Sequence, residues 1–452
     1  VSADFINLTI DDRPVAAKPG RTIMQAARDV GLSIPSLCDS PELRGFGSCR
    51  LCAVEIEGRP GTPASCTTPA IAGLVVNTRT DKLWKLRRGI VELYVSEHPL
   101  DCLTCSANGD CELQAVAAAV GLRDVRYNVE PSNTGRGVDG SSPFFFFDPA
   151  KCIVCSRCIR ACDDLQVTHA LSIDGRGFAS RIISGADESF MESDCVSCGA
   201  CVNECPVGAL EEKQLRATGN PDKTVRTTCG FCGVGCQFDA GVKGNKLVTM
   251  KPAADSPVNN GHSCVKGRFA SAYVNHKERL TTPMVRESID DEFREATWEE
   301  TYDFIVERWK RIVDESGPDA IGTITSSRST NELNYLGSKL MRAVVGTNNV
   351  DNCARVCHSA TVKGMMKVFG AGAGTNSLGD IDVTDLLLAS GCNPLHGHPV
   401  TGSRIKRARK RGMKLIVADP IETDFAKMAD IHLQLRHGTN VALFQGLENI
   451  VL

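Results

Sequence analysis

The sequence predicts a multidomain protein, α+β through its first 280 residues and α/β after that. Three observations carry this. The chain has 452 residues, too many for one hydrophobic core. Nineteen of its 22 cysteines fall in short, closely spaced runs before residue 265, so that part is organised around sulfur. After residue 285 apolar strands alternate with amphipathic helices, the pattern of a parallel sheet. Composition narrows the function. Lys and Arg number 51 against 54 Asp and Glu, a net charge of −3, which argues against nucleic acid as the main partner. Apolar content of 42% and charged content of 23% are ordinary for a globular protein. No run of 18 apolar residues exists, so no membrane span is expected. The N-terminal VSADFINLTIDD has no basic and apolar export signal, so the expected location is cytoplasmic. In such a chain, tight CxxC spacing points to metal rather than disulfides.

The stretch FINLTIDDRPVAAKPGRTIMQAARDVG reads as a β-hairpin and then a helix. CDSPELRGFGSCRLC follows, with Cys38, Cys49 and Cys52, and then Cys66. Gly45, Gly47 and Ser48 let the backbone wrap closely and aim N–H groups at sulfur. A structural zinc site would use the same four thiolates; the glycine loop and ligand order favour a [2Fe–2S] cluster. The stretch resembles the [2Fe–2S] β-grasp, ferredoxin-like domain of complex I large subunits and [FeFe] hydrogenases, with a longer first gap than the plant-type spacing. We place this domain at 1–80.

Residues 81–100 read as helical. HPLDCLTCSANGDC then supplies His98, Cys102, Cys105 and Cys111, the H-x3-C-x2-C-x5-C pattern of a [4Fe–4S] cluster with one imidazole ligand. A neutral imidazole in place of a thiolate leaves the cluster less negative and raises its potential. This domain is expected over 81–140. Residues 128–143 (NVEPSNTGRGVDGSSP) read as a linker, and Phe144–Phe147 as a buried strand. The motif C-x2-C-x2-C-x3-C then occurs twice. Its first copy is Cys152, Cys155, Cys158 and Cys162; its second is Cys195, Cys198, Cys201 and Cys205, followed by Pro206. This is the two-cluster bacterial ferredoxin signature, in which the fourth cysteine of each run serves the other cluster. Cys205 therefore groups with Cys152, Cys155 and Cys158, and Cys162 with Cys195, Cys198 and Cys201, in a domain over 141–216.

A fifth motif, CGFCGVGC with NNGHSCVKG, gives Cys229, Cys232, Cys236 and Cys264 in a domain over 222–280. Its long last gap resembles the N-terminal [4Fe–4S] domain of molybdopterin oxidoreductases, and of the formate dehydrogenase branch in particular. The resemblance makes Lys266 a bridge between cluster and pterin; a solvated surface lysine is the plainer alternative.

The remaining chain, 281–452, reads as a partial α/β domain. ATWEETYDFIVERWKRIVDESGPD carries a helical apolar stripe, with Thr297 and Glu300 as a capping box. AIGTIT is a strand and NELNYLGSKLMRAVVG a helix. DLLLASG, SRIKRARKRG and KLIVADP form a βαβ unit, whose strands bind nucleotide-like ligands at their carboxyl ends. Gly391, Asn393 and Asp419 sit at those ends. The basic helix is expected to present a solvated face. GAGAG at 370–374 does not match a dinucleotide fingerprint.

Cys353, Cys357 and Cys392 stand outside every cluster motif. Cys357 with His358 could be a nucleophile and base, a buried thiol, or a soft ligand to a single metal. NNVDNCARVCHSATV resembles the active-site segment of metal-dependent formate dehydrogenases, as do SSRSTNELNYL, GCNPLHGHPV and VADPIETDFAKMADIHLQLRHGTNVAL. The resemblance covers essentially the whole chain. It implies that Cys357 ligates molybdenum or tungsten held by two molybdopterin guanine dinucleotides, and that His358 assists the chemistry. It further implies pterin contacts from Lys266, Gly391, Asn393, Asp419, Gly438 and Asn440. The implied activity is reversible oxidation of formate to carbon dioxide. Electrons would leave through one [2Fe–2S] and four [4Fe–4S] clusters to a flavin- and NAD-binding diaphorase-type subunit of a hetero-oligomer. No role is implied for Cys353, and Cys392 is expected to pack as a small hydrophobe. Family members continue for several hundred residues past the end of this chain, through a formate-orienting arginine, so these 452 residues alone are not expected to turn over formate. A non-catalytic electron-transfer subunit resembling the complex I large subunit, an [FeFe] hydrogenase and another pterin enzyme such as a nitrate reductase are the alternatives.

Overall fold

The computed structural model describes residues 5–127 and 136–452. Half of the linker expected at 128–143, residues 128–135, lies outside the described residues. The chain forms two compact units, Val1–Ser271 with Asp382–Leu452, and Ala272–Ile381.

The first unit opens with the expected hairpin. β1 (Ile6–Ile10) and β2 (Arg13–Ala17) pair antiparallel. The two-residue loop puts Asp11 and Asp12 at φ 48° and 61°, the left-handed pair of a type I′ turn. α1 (Ile23–Asp29) starts in a reciprocal box: the Gln25 N–H donates to Thr22 Oγ1, and the Thr22 N–H to Gln25 Oε1. β3 (Glu55–Ile56) and β4 (Val75–Asn77) complete a sheet of order β2-β1-β4-β3, with β1 and β4 parallel. Its inward face and α1 bury Leu8, Ile10, Val15, Ile23, Val54 and Val76. Each such side chain contributes roughly 1.5–3 kcal/mol on burial.

α2 (Asp81–Ser96) is capped by Thr80, and α3 (Glu112–Ala119) begins directly after Cys111. β5 (Phe145–Phe147) buries Phe145 and Phe147, as expected of that run. α4 (Arg157–Arg160) leads into a wide turn over Ala161–Gln166. β6 (Leu171–Asp174) and β7 (Arg181–Ser184) pair antiparallel, α5 (Ala200–Glu204) follows, and β8 (Leu210–Glu212) pairs with β5. After α6 (Lys213–Thr218), the strands β9 (Lys223–Thr228), β10 (Gln237–Lys243) and β11 (Lys246–Pro252) form an antiparallel meander, and α7 (Val265–Phe269) follows Cys264.

In the second unit, β12 (Met284–Val285) and β13 (Arg294–Glu295) pair ahead of α8 (Trp298–Ser316). Thr297 caps α8 through the Glu300 N–H, but the box does not close: the Glu300 carboxylate pairs with Arg294 at 2.6 Å instead. β14 (Thr323–Thr325), α9 (Asn331–Lys339) and β15 (Val350–Asn352) form a parallel βαβ unit. α10 (Ala354–Cys357) and α11 (Ser359–Phe369) follow.

The C-terminal segment returns to the first unit. β16 (Leu386–Ser390), α12 (Pro394–Gly397), α13 (Pro399–Lys410), β17 (Lys414–Ala418), α14 (Asp424–Lys427), β18 (Ile431–Leu433) and α15 (Asn440–Val451) follow in order. The sheet is parallel, in the order β16-β17-β18. The basic helix α13 departs from expectation. It buries Arg404 and Ile405, and Lys406, Arg407 and Lys410 donate to backbone carbonyls of the Ala161–Gln166 turn and of Val167. Carbonyls at the end of a helical turn lack intrahelical partners and carry partial negative charge, so a basic face is held there rather than solvated. Among the described residues, no helix is long and apolar enough to cross a membrane.

Candidate functional site

Cys38, Cys49, Cys52 and Cys66 are all buried, with Cys52 Sγ and Cys66 Sγ 3.4 Å apart. The Cys49 N–H points at Cys38 Sγ at 3.5 Å. The loop needs its glycines. A Cβ on Gly45 would lie 2.0 Å from the Cys66 carbonyl oxygen, and Gly47 has φ +72°. Hydrogen bonds from Cys49 and Cys66 hold the Cys38 thiol far below the ordinary range, while those same contacts push Cys49 and Cys66 far above it. Four thiols this close cannot all ionise unaided. A positive iron cluster would let them, so the donor set fits the group. Arg87, on α2 and 1% exposed, secures the site from behind, donating to the carbonyls of Leu51 and Ala53 at 2.9 Å and of Thr78 at 2.7 Å.

His98 follows the end of α2. Its Nδ1 is buried without a hydrogen-bond partner among the described residues, and burial holds the imidazole below its ordinary pKa. A neutral ring with an unpartnered nitrogen is the form that binds metal. Cys102, Cys105 and Cys111 lie half-buried on the following turns. This stretch packs onto the ferredoxin repeat: the Glu112 N–H donates to the Pro206 carbonyl at 2.9 Å, and a Cβ on Gly208 would sit 2.9 Å from Cys105 Sγ.

The two ferredoxin runs share one backbone geometry. Val154 and Ser197 take φ 50° and 51°, and Ser156 and Gly199 take 63° and 76°. The left-handed residues turn N–H groups inward, so Val154 donates to Cys152 Sγ and Ser197 to Cys195 Sγ, both at 3.4 Å. Cys162, Cys195, Cys198 and Cys201 together line one pocket, with Phe145 and Phe190. Burial pushes Cys152, Cys155 and Cys198 up to about 12. The charge of Cys205 bears on Cys152 and Cys155, and that of Cys162 on Cys198. The fourth cysteine of each run thus faces the other run's thiols.

Cys229, Cys232, Cys236 and Cys264 line a second pocket, together with Lys266 and with Gly397, Pro399 and Val400 from α12 and α13. Cys264 caps α7, which carries Lys266. Close packing fixes this turn, since a Cβ on Gly267 would fall 2.6 Å from the Phe238 ring. Burial pushes Cys236 up to about 12. Among the described residues, no three His, Cys, Asp or Glu side chains gather closely enough for a single metal ion, and in both pockets the thiols line a gap between them.

At the carboxyl ends of the C-terminal sheet, Gly391 has φ +61°, the buried Asn393 Oδ1 has no hydrogen-bond partner among the described residues, and Asp419 is 9% exposed. Asp419 Oδ1 accepts the Ile421 N–H at 2.9 Å, and His432 Nε2 lies 2.9 Å from the Asp419 carbonyl oxygen. Gly438, at φ +81°, and Asn440, the first residue of α15, are exposed beyond β18. Cys392 is also exposed, against the expectation that it packs in a core.

Cys357 and His358 belong to the second unit, where β15 runs parallel to β14 and α10 continues straight from it. Cys353 is clasped by the neighbouring strand's loop: its N–H donates to the Thr325 carbonyl at 3.1 Å and its sulfur accepts the Ser327 N–H at 3.3 Å. That N–H holds the Cys353 thiol below its ordinary range. Cys357 and His358 are exposed at the break between α10 and α11. The segment is a single helical turn at a strand end.

Several buried charges carried no sequence signal. Arg157 and Arg160 lie between cluster cysteines; Arg157 donates to the Asp39 carbonyl at 2.5 Å, and Arg160 to the carbonyls of Arg44, at 2.6 Å, and Cys38. Arg268 and Glu212 form a fully buried pair at 3.2 Å. Nothing in the local sequence marks any of them as buried, and only tertiary contact gives each its partner.

Five family models match the chain. They are a 2Fe-2S iron-sulfur cluster binding domain over residues 3–81 and an NADH-ubiquinone oxidoreductase-G iron-sulfur binding region over 87–126. A 4Fe-4S dicluster domain matches 151–209, the molybdopterin oxidoreductase Fe4S4 domain 222–276, and molybdopterin oxidoreductase 279–452. A Bacillus subtilis (strain 168) protein named "Probable oxidoreductase YjgC" is 34% identical over 98% of this chain and 49% of its own length. A Staphylococcus aureus (strain USA300) protein named "Putative formate dehydrogenase" is 31% identical over 99% of this chain and 49% of its own. The chain thus spans about half the length of the curated relatives it matches. A chain of an NAD+-reducing [NiFe]-hydrogenase is 36% identical, covering 46% of this chain and 87% of that one, with a TM-score of 0.40. With its 2Fe–2S and 4Fe–4S domains set ahead of a molybdopterin oxidoreductase domain, the chain belongs to the molybdopterin oxidoreductase family.

Proposed function

We propose that the whole protein is a formate dehydrogenase that converts formate reversibly to carbon dioxide. The observation that carries this reading is the Cys357–His358 pair, exposed at the end of a parallel strand and free to meet a bound group. The likeness to relatives named as formate dehydrogenases supports it. A molybdenum or tungsten centre on two pterin dinucleotides, when bound, would accept the two electrons and the hydrogen of formate. In this reading Cys357 is a thiolate ligand to the metal, and His358, one residue on, holds or moves the proton near the reacting carbon. Gly391, Asn393, Asp419, Gly438 and Asn440 hold pterin dinucleotide. The unpartnered Asn393 Oδ1 is an acceptor fitted to such a ligand. Lys266, beside the last thiol set, bridges pterin and cluster.

The four cysteines of the first loop hold a [2Fe–2S] cluster, and His98 with Cys102, Cys105 and Cys111 a [4Fe–4S] cluster. The crossed ferredoxin sets hold two more, and Cys229, Cys232, Cys236 and Cys264 the last. Electrons pass from the last set through the ferredoxin pair to the N-terminal clusters, and then to a flavin- and NAD-binding partner subunit in the cytoplasm. The NADH-ubiquinone oxidoreductase-G region supports that partner and is equally at home in a non-catalytic electron-transfer subunit. One experiment separates the two readings. The whole protein, isolated with its partners, is analysed for molybdenum and tungsten and assayed for formate oxidation with an artificial acceptor. Formate-dependent reduction with one Mo or W per chain is expected; iron without either metal, and no formate oxidation, would leave the electron-transfer subunit.

A further inference from the structure

The basic helix α13 spans the distance between two thiol sets. At its start, Pro399 and Val400 line the pocket of Cys229, Cys232, Cys236 and Cys264. At its end, three cations clamp the turn that carries Cys162. Lys410 Nζ donates to the Asp163 carbonyl at 3.2 Å, Arg407 Nη1 to the Leu165 carbonyl at 2.7 Å, and Lys406 Nζ to the Val167 carbonyl at 3.3 Å. Arg407 also lines one pocket with the buried His262, whose Nε2 lies 2.9 Å from Gln166 Oε1. His262 is two residues before Cys264, and the adjoining Ser263 Oγ donates to the Cys198 carbonyl at 3.2 Å. The Arg407 guanidinium therefore sits where the backbone of one thiol set meets that of the other. The carboxylate whose charge bears on it, Asp382, is already shared with Arg404 at 3.0 Å and Arg411 at 3.6 Å, so the local balance stays positive.

A fixed positive charge at partial burial is weakly screened, and it stabilises the reduced, more negative state of an iron–sulfur cluster. We propose that Arg407 is a positioning residue for electron transfer. It raises the reduction potential of the cluster on Cys162, Cys195, Cys198 and Cys201, and, more weakly, that of the cluster on Cys229, Cys232, Cys236 and Cys264. This rests on the ligand sets assigned above. The larger effect falls on the ferredoxin cluster because Arg407 bonds directly to its ligand-bearing turn and reaches the other set only through His262. The consequence is directional: the ferredoxin cluster becomes the better acceptor of the pair, which draws electrons outward from the pterin domain.

Redox-titrated EPR of the whole, cluster-loaded protein tests this. Arg407→Gln is expected to shift the ferredoxin signal to lower potential and the proximal signal less, leaving the other three clusters unmoved. Arg407→Lys keeps the charge and is expected to stay near wild type. If Arg407→Gln does not fold, Lys410→Gln is expected to give a smaller shift of the same sign. A merely structural role would lower the melting temperature and leave every potential in place, which would overturn the proposal, as would an equal shift of all five clusters. Absence of either four-iron signal from the wild-type protein would overturn the ligand sets, and the proposal with them; both signals present but unmoved would overturn the proposal alone.

Discussion

The cysteines of the cluster motifs and those around residue 355 meet opposite surroundings. In the motifs the thiols are buried or half-buried, N–H groups point at sulfur, and glycines admit no side chain. In the second unit Cys353 and Cys357 are exposed, at the start and end of a short helix that buries none of its residues. Burial raises a thiol's pKa and closes it to solvent, which suits a resident cluster that only passes electrons. Exposure leaves a thiol and an imidazole reachable, which suits a centre that must admit substrate. In the proposed reading the same residue type serves two purposes, and burial separates them.

The sharpest way to break that comparison is to exchange chemistry at the exposed pair. Cys357→Ser is expected to abolish formate oxidation in the whole protein while the visible and EPR signals of the clusters persist, because a hydroxyl is a harder and less readily ionised ligand than a thiol. Retained activity with retained Mo or W would end the catalytic reading. His358→Ala should keep the metal and slow turnover about 10²–10⁴-fold, the range for a lost proton-transfer group, as steady-state kinetics would show. Cys353→Ala should cost far less, since its sulfur meets the Ser327 loop and Asn352 and is given no ligand role.

On the buried side the largest effect is expected at Gly45. Gly45→Ala places a methyl 2.0 Å from the Cys66 carbonyl oxygen, so the loop must open. The [2Fe–2S] signal should be lost while the four-iron signals remain. Circular dichroism in the visible range, where the two cluster types differ, would check this.

How much of this was legible beforehand follows from the range of each interaction. The cluster motifs are local: spacing places three thiols on one loop, and the hairpin turn at Asp11–Asp12 and the cap at Thr22 are equally local. Two strands of the C-terminal sheet, β16 and β17, were legible because they are short apolar runs ended by Gly391 and by Asp419-Pro420; β18, three residues followed by Gln434, carried no such signal. What escaped was non-local. Arg87 looks like one more charge on an amphipathic helix, and only the folded chain brings three carbonyls to it. The basic helix α13 reads as solvated because its partners are carbonyls some 240 residues earlier. A backbone acceptor leaves no trace in side-chain pattern. Glu300 failed as a box residue for a nearer cause: Arg294, just ahead of α8 on β13, takes its carboxylate.

Arg87 gives a smaller, structural test of the buried region. Arg87→Met leaves the carbonyls of Leu51, Ala53 and Thr78 buried without donors. A destabilisation of roughly 2–5 kcal/mol is expected, read as a lowered midpoint in chemical unfolding, with the loop of Cys52 the first to lose its cluster. A change within a few tenths of a kcal/mol would mean that water reaches those carbonyls.

The smallest expected effect is at His98, which tests whether burial alone distinguishes a ligand. Its Nδ1 is buried and unpartnered, and its burial keeps the ring neutral. If it completes the set of Cys102, Cys105 and Cys111, His98→Cys should preserve the cluster, because a thiolate can take the same place. The added negative charge should lower that one cluster's potential and leave the others where they were. His98→Ala removes the ligand without replacing it, and about 18 irons per loaded chain, the sum for one two-iron and four four-iron clusters, should then fall by about one cluster. Redox-titrated EPR and iron analysis read the two outcomes separately. An unchanged spectrum and iron content in both variants would make His98 a buried structural imidazole, and the half-buried Cys102, Cys105 and Cys111 would need a fourth ligand from elsewhere.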